Sequence, residues 1–335
     1  MQLAVRSGES WLVDPLALGD LQRLAPLFAD ATPTILVHAG DNDLAHLKRR
    51  YRFAFRSIFD TSLAARFLGA RALGLDTLLR EYLGVELPPS RQKDDWSVRP
   101  LSEAQERYAI ADVLHLFALK DRLVTELERA GRLAWVEEEC AALAAEPPVE
   151  RVVDPDAWAS LKGARDLAPR GRALLKALWQ MREDLARAAD RPPFKILSDA
   201  TLTALATAAP TSIAELATIP GCTPRVIGRW GATILGAVAR GRALPEDAVP
   251  EPARPPRPPS LPGRVRRRIE ALRKWRETAA PRFGLEAGVL LPNRLIRAIA
   301  EAMPRDLDAL GRVEGVRRWR AEVLGREILA AMGPP

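Results

Sequence analysis

The stretch Leu244 to Gly263, LPEDAVPEPARPPRPPSLPG, carries proline at a density that neither a helix interior nor a central strand accepts. Each proline lacks an amide donor and clashes with the preceding helical turn. The stretch therefore predicts an extended, semi-rigid linker over residues 244–261. A second proline-bearing break, AEPPVERVVDPDAW (Ala145 to Trp158), interrupts the chain earlier. Three segments result, at residues 1–148, 155–243 and 262–333, and the expected organisation is a domain in each.

The first segment opens on short apolar runs with β-branched or aromatic content, MQLAV, SWLVDP and TILVHA. These read as strands. DLAHLKRRYRFAF, TSLAARFLGA, LDTLLREYLGV and SEAQERYAIADVLHLFALKDRLVTELERAG carry helical spacing instead, so the segment is expected to be α/β. The later segments show only helical periodicity broken by Pro and Gly, and read as small all-α bundles. They also resemble each other. Phe194 to Val238 can be laid on Gly288 to Met332, with an apolar stretch, a capping residue (Ser198 or Asn293), two short helices, a glycine turn and a last helix of W…G…IL character.

Charge is unevenly shared. Residues 1–150 hold 18 Lys and Arg against 23 Asp and Glu, whereas the whole chain holds 50 against 43. A basic C-terminal half suits a polyanion, and clustered acids in the other half suit a divalent cation. Cys140 and Cys222 stand far apart in unrelated contexts, which argues against a disulfide framework or a cysteine metal site and for two small buried or half-buried hydrophobic side chains. No apolar run is long enough to span a membrane and the N-terminus lacks the pattern of a secretory signal, so a cytoplasmic protein is expected.

Two places concentrate chemistry. In LVHAGDNDLAHL an apolar run ends on Asp41 and Asp43 at the start of a helical pattern. In ERYAIADVLHLF, Tyr108 and Asp112 are four residues apart, on one face of a helix and one turn from each other. A phenol and a carboxylate so placed could hold a metal and a water; the same spacing also suits a core tyrosine beside a solvated acid.

The order of LVHAGDNDLAHL, IFDTSLAARFLG and KDDWSVRPLSEAQERYAIADVLHL resembles the catalytic domain of the ribonuclease D family, in the tyrosine-bearing branch of the four-carboxylate exonucleases. The resemblance rests on His38-Ala39-Gly40, Asp43-Leu44, Asp60-Thr61, Asp95-Trp96, Arg99-Pro100-Leu101, Gln105, Tyr108 and Ala111-Asp112. The helical segments resemble HRDC domains, small nucleic-acid-binding modules. The resemblance implies a ribonuclease H-like α/β exonuclease domain followed by two all-α HRDC-like bundles, and a 3′-5′ exoribonuclease acting on structured RNA such as transfer-RNA precursors, with DNA a further ligand. It implies that Asp43 and Asp112 are metal ligands for Mg²⁺ or Mn²⁺ in a two-metal site and that Tyr108 positions the attacking water. Asp41 is expected to be a helix N-cap or solvent-facing, Asp60 to be structural, and His38 to pack near the site.

One family element is missing. The family opens with a strand carrying Asp-x-Glu, two carboxylates that a period of two puts on one strand face. No acidic pair ahead of Asp112 reads Asp-x-Glu here. The exonuclease domain is thus expected to be N-terminally incomplete, with a weakened metal site. Either the true start lies upstream, or the chain is an inactive nucleic-acid-binding protein. Arg91 and Lys93, in the loop Ser90 to Pro100, and Arg264, Arg267 and Arg268, at the head of the second bundle, are candidate nucleic-acid contacts. Trp179, Trp230, Trp275 and Trp319 have apolar helical spacing and are expected in cores.

Overall fold

The computed structural model describes residues 1–148, 154–245 and 261–333. The predicted linker at 244–261 lies, except for its ends, outside the described residues. Two compact units emerge: the N-terminal segment together with the C-terminal bundle, and the middle bundle by itself.

The N-terminal segment runs β1 (Gln2–Ala4), β2 (Ser10–Leu12), α1 (Pro15–Leu18), α2 (Ala25–Ala29), β3 (Ile35–Val37), α3 (Asp41–Tyr51), β4 (Ile58–Asp60), α4 (Thr61–Phe67), α5 (Leu75–Leu83), α6 (Glu103–Leu114), α7 (Leu116–Arg129) and α8 (Leu133–Ala145). The strands do not form one sheet. β1 pairs antiparallel with β2, and β3 pairs parallel with β4, so α3 is the crossover of a right-sized β-α-β unit. Two-stranded ribbons are marginal in isolation, and here helices supply the missing cover: α6 packs on β1 and β2, while α7 packs on β3 and α8 on β4.

Where the sequence pattern and the structure part, the reason is local. The helix read over DLAHLKRRYRFAF stops at Tyr51, because Arg52 adopts a left-handed conformation. Phe53 and Phe55 then join Phe28 in a buried aromatic cluster with ring centroids 4.9 and 5.2 Å apart. The strand Ile58–Asp60 has no alternation to read, since all three residues are buried.

The C-terminal bundle consists of α14 (Gly263–Phe283), α15 (Ala287–Leu290), α16 (Asn293–Ala302), α17 (Leu307–Gly311) and α18 (Arg318–Met332); the middle bundle of α9 (Pro169–Ala188), α10 (Pro193–Ile196), α11 (Asp199–Ala208), α12 (Ile213–Leu216) and α13 (Pro224–Ala243). Their internal plans agree residue for residue. Asp199–Ala208 recurs as Asn293–Ala302, each ending on a residue in the left-handed region, Ala209 and Met303. Gly221 and Gly315 make the same turn at positive φ, and an added Cβ on Gly221 would lie 2.1 Å from Thr201 Oγ1, so only glycine fits. Buried Arg182 binds Leu197 O and Asp199, and its counterpart Arg276 binds Leu291 O and Asn293 Oδ1. Asn293 is therefore no cap: Pro292 holds that position, and the Asn293 side chain is taken by Arg276. Ser198 does cap α11, accepting from the Thr201 amide.

The C-terminal bundle shares one hydrophobic core with the N-terminal segment. Trp319 stacks on Trp135 with centroids 4.5 Å apart and planes at 10°, and meets Phe67 edge-on at 5.6 Å. The carboxylate of Glu138, on α8, accepts from the backbone amides of Arg318 and Trp319 at 2.6 and 3.0 Å, closing the N-terminus of α18. Glu139 pairs with Arg317 at 3.2 Å and with buried Arg320. Gly69 comes so close to Gly284 that a Cβ would sit 2.5 Å from the Gly284 carbonyl oxygen. Trp179 and Trp319 are buried in their cores, and Trp230 and Trp275 pack against them half-covered.

Candidate active site

The turn between β3 and α3 is set by Asp60. Its carboxylate, 3% exposed, accepts from the amides of Ala39 and Gly40 at 3.1 and 2.9 Å and from those of Ser62 and Leu63 at 2.9 and 3.1 Å. One buried acid thus caps α4 and holds the loop that launches α3, the structural role the sequence suggested. Ala39 sits at φ 51°, and a Cβ on Gly40 would lie 2.7 Å from Val37, so the tight His-Ala-Gly turn depends on these small residues. His38 closes the corner through Nδ1 and the Thr61 hydroxyl, 2.9 Å apart, and burial lowers its pKa.

Asp41 is the first helical residue and Gly40 the N-cap, so Asp41 does not cap; it faces solvent. Asp43 lies in the same first turn, where the helix dipole favours an anion. Asp43 is solvent-exposed as well, and its pKa is raised, first by partial loss of hydration at the helix head and then by the like charge of Asp41.

Tyr108 and Asp112 lie one turn apart on α6. The helix starts at a capping box in which Ser102 Oγ accepts from the Gln105 amide and Gln105 Oε1 accepts from the Ser102 amide. Gln105 Nε2 also donates to the Asp95 carbonyl, tying the preceding loop to the helix. Tyr108 is 7% exposed and its ring lies 6.3 Å from that of Trp96. Asp112 is half-buried, and desolvation pushes its carboxyl up to about 6. No cation among the described residues compensates it. A carboxylate short of both water and counter-ion is the kind of group that a bound cation would relieve.

The loop before α6 is braced rather than loose. Arg99 makes a forked pair with Asp14, Nε and Nη2 lying 2.6 and 2.8 Å from the two carboxylate oxygens, and it also donates to the Trp96 and Val98 carbonyls. Sequence reasoning noted Arg99 and Gln105 only as motif residues; their positioning roles depend on partners 85 and 10 residues away that no spacing reveals. Arg91 pairs with Asp94 at 3.5 Å, and Lys93 is exposed. On α14, Arg264 and Arg267 are exposed, while Arg268 is half-buried and lines a cleft with Met303 and Arg305.

Asp43 and Asp112 stand on different helices, and neither figures among the charges that shift the other. Among the described residues no group of three or more His, Cys, Asp or Glu is placed to hold a metal ion. Two acids do not fill the coordination shells of two hard cations, so the donor set here does not by itself fit a two-metal centre.

The α/β segment with its acid-tyrosine helix, followed by a duplicated helical module, defines a 3′-5′ exonuclease architecture with two HRDC domains. Residues 1–128 match the 3′-5′ exonuclease family, and residues 171–238 and 265–332 each match the HRDC domain. Ribonuclease D of Pseudomonas paraeruginosa is 32% identical over 328 residues, covering 96% of this chain and 84% of the relative. Ribonuclease D of Escherichia coli K12 is 33% identical over 245 residues, covering 72% and 64%. The solved structure of Escherichia coli RNase D, described as an exoribonuclease involved in structured RNA processing, superposes with a TM-score of 0.59 at 27% identity, over 96% of this chain and 83% of that one. A Bifidobacterium adolescentis protein shares the fold at a TM-score of 0.72 and 23% identity, over 93% and 83%. The chain belongs to the ribonuclease D family of exoribonucleases. No helix among the described residues is long and apolar enough to cross a membrane.

Proposed function

We propose that this chain shortens structured RNA from its 3′ end, with transfer-RNA precursors among its substrates, and that Asp43, Tyr108 and Asp112 form its reacting site. What supports the reading is Asp112: a desolvated carboxylate without a counter-ion, one helical turn from a buried tyrosine, in the domain that matches the 3′-5′ exonucleases. Oxygen donors of this kind select Mg²⁺ or Mn²⁺, which would stabilise charge on the phosphodiester. The two acids supply part of such a site and no more. Tyr108 contributes a phenol close to Asp112 that can orient a water, Trp96 and the braced loop keep that phenol in place, and Asp43 adds a second acceptor at the head of α3. The relatives' names favour an enzyme over a protein that only binds RNA.

The test is release of nucleotides from a 3′-labelled RNA in magnesium or manganese. This chain is compared with its Asp43→Asn and Asp112→Asn variants and with a form extended upstream by a strand carrying Asp-x-Glu. Release that is lost in both variants while RNA binding persists, and that rises in the extended form, supports the reading. Bound RNA with no release from any form leaves a binding protein instead.

A further inference from the structure

The two HRDC modules share one plan, but their last helices differ in length. The correspondence that lays Asp199 on Asn293 also lays Gly231 on Gly325 and Ile213 on Leu307. Both modules keep that pairing: a Cβ on Gly231 would come 3.0 Å from Ile213, and one on Gly325 2.5 Å from Leu307. The register of the last helix is thereby fixed, and Met332 corresponds to Val238. α18 ends at that residue, whereas α13 runs on to Ala243. The added length closes the middle module. Gly241 is buried so tightly that a Cβ would lie 2.8 Å from Leu174 Cα, and Arg242 donates to the Ala209 carbonyl at the end of α11. Ala237 and Val238 are fully buried as a result, while their counterparts Ala331 and Met332 are only partly covered.

Where the middle module seats those last turns, the C-terminal module has a cleft of about 480 Å³. Met303, Pro304, Leu329 and Met332 give it apolar walls, Arg268 and Arg305 give it charge, and no acid among the described residues lines it. Arg268 takes the place of the core residue Leu174, in the register that pairs Arg276 with Arg182. Its Nη1 is shielded from water and has no hydrogen-bond partner among the described residues. A shielded, unpaired guanidinium donor costs the fold stability that a leucine at the same position would not. An oxygen acceptor carried into the cleft satisfies it, and a carboxylate makes the strongest such pair. The walls call for apolar side chains beside that acceptor. The middle module shows what kind of ligand has the right shape, because it fills the corresponding volume with polypeptide.

We propose that the cleft between the end of α18, Met303 and Arg268 is a docking site for a peptide segment of a partner protein, one that carries a carboxylate next to leucine-like side chains. The carboxylate pairs with Arg268, Arg305 adds positive charge at the rim, and the apolar side chains lie on Met303, Leu329 and Met332. The inference is independent of the exoribonuclease reading, since it attaches a protein partner and assigns no substrate contact.

The measurement is fluorescence anisotropy of a fluorescein-labelled pentapeptide, Ala-Leu-Glu-Leu-Leu with a free carboxylate, titrated with the full chain. The peptide is expected to bind. Affinity should fall about tenfold on Arg268→Leu, and about tenfold when the glutamate and the terminal carboxylate of the peptide are replaced by glutamine and an amide. Arg268→Leu should also raise the melting temperature of the peptide-free chain by about 2–4 °C, because it removes the unpaired donor and restores the residue the middle module uses. A lowered melting temperature would mean that Arg268 serves the carbonyl end of α18 instead, and would overturn the proposal. Failure of the peptide to bind, or equal binding by the Arg268→Leu chain, overturns it as well. Peptide binding that appears only after deletion of residues 334–335 would assign the cleft to the chain's own end rather than to a partner. If a single-stranded oligoadenylate loses affinity on Arg268→Leu while the peptide does not bind, Arg268 is a phosphate contact and the cleft is no peptide site.

Discussion

Asp60 shows how much of the proposed site can rest on a residue outside it. Four backbone amides share its carboxylate, two at the head of α4 and two in the turn that aims α3 and so Asp43. Asp60→Ala should lower stability by about 3 kcal/mol, since it strands buried amides, and Asp60→Asn, with a single acceptor oxygen, should lose less. Urea denaturation of the two variants gives the order. Asp112 makes an opposite prediction. Its folded pKa is raised to about 6, so the protonated form is favoured in the fold. Stability from this group is present below the unfolded carboxyl value and is lost as pH rises through about 6. In metal-free protein, Asp112→Asn should therefore raise the melting temperature by about 2–4 °C at pH 7 and leave it unchanged at pH 4. Equal shifts at both pH values would contradict the assignment of the shift to ionisation.

Among the elements, α8 and α18 matter most for the exonuclease unit. Their junction combines stacked indoles, a helix end closed by Glu138 and the ion pairs of Glu139 with Arg317 and Arg320. Removing one partner leaves a buried charge uncompensated, so Glu139→Gln should cost about 3–5 kcal/mol in chemical denaturation, against less than about 1 kcal/mol for the exposed pair Arg107–Glu103. Little of this junction was legible in the sequence. Helical periodicity located α3, α6 and the repeat, because a buried stripe leaves its period in the residues that face the core. The acid-tyrosine pair on α6 was legible for the same reason, as both partners lie within one turn. Contacts such as Glu139 to Arg320 leave no local trace, because their spacing is an outcome of the tertiary fold. The strand at Ile58 was equally silent, being too short and too evenly buried to alternate. Asn293 misled because it has a capping residue's composition, but a buried arginine claims its side chain.

For the molecule as a whole, the chain's order and its packing disagree. The middle module has its own core, whereas the N-terminal segment shares one with the C-terminal module. Residues 154–245 expressed alone should unfold in a single cooperative thermal transition. Residues 1–148 alone should bind a hydrophobic dye and lack such a transition, since Phe67 and Trp135 lose Trp319. Calorimetry of the two fragments decides. The same shared core bears on how the protein is made. At about 5–20 residues per second, a ribosome needs roughly 10–40 s to travel from the end of α8 to the end of α18. Throughout that interval the nascent exonuclease segment waits, unfinished, for the last helix of its own core, while the middle module, translated in between, already has all it needs to fold.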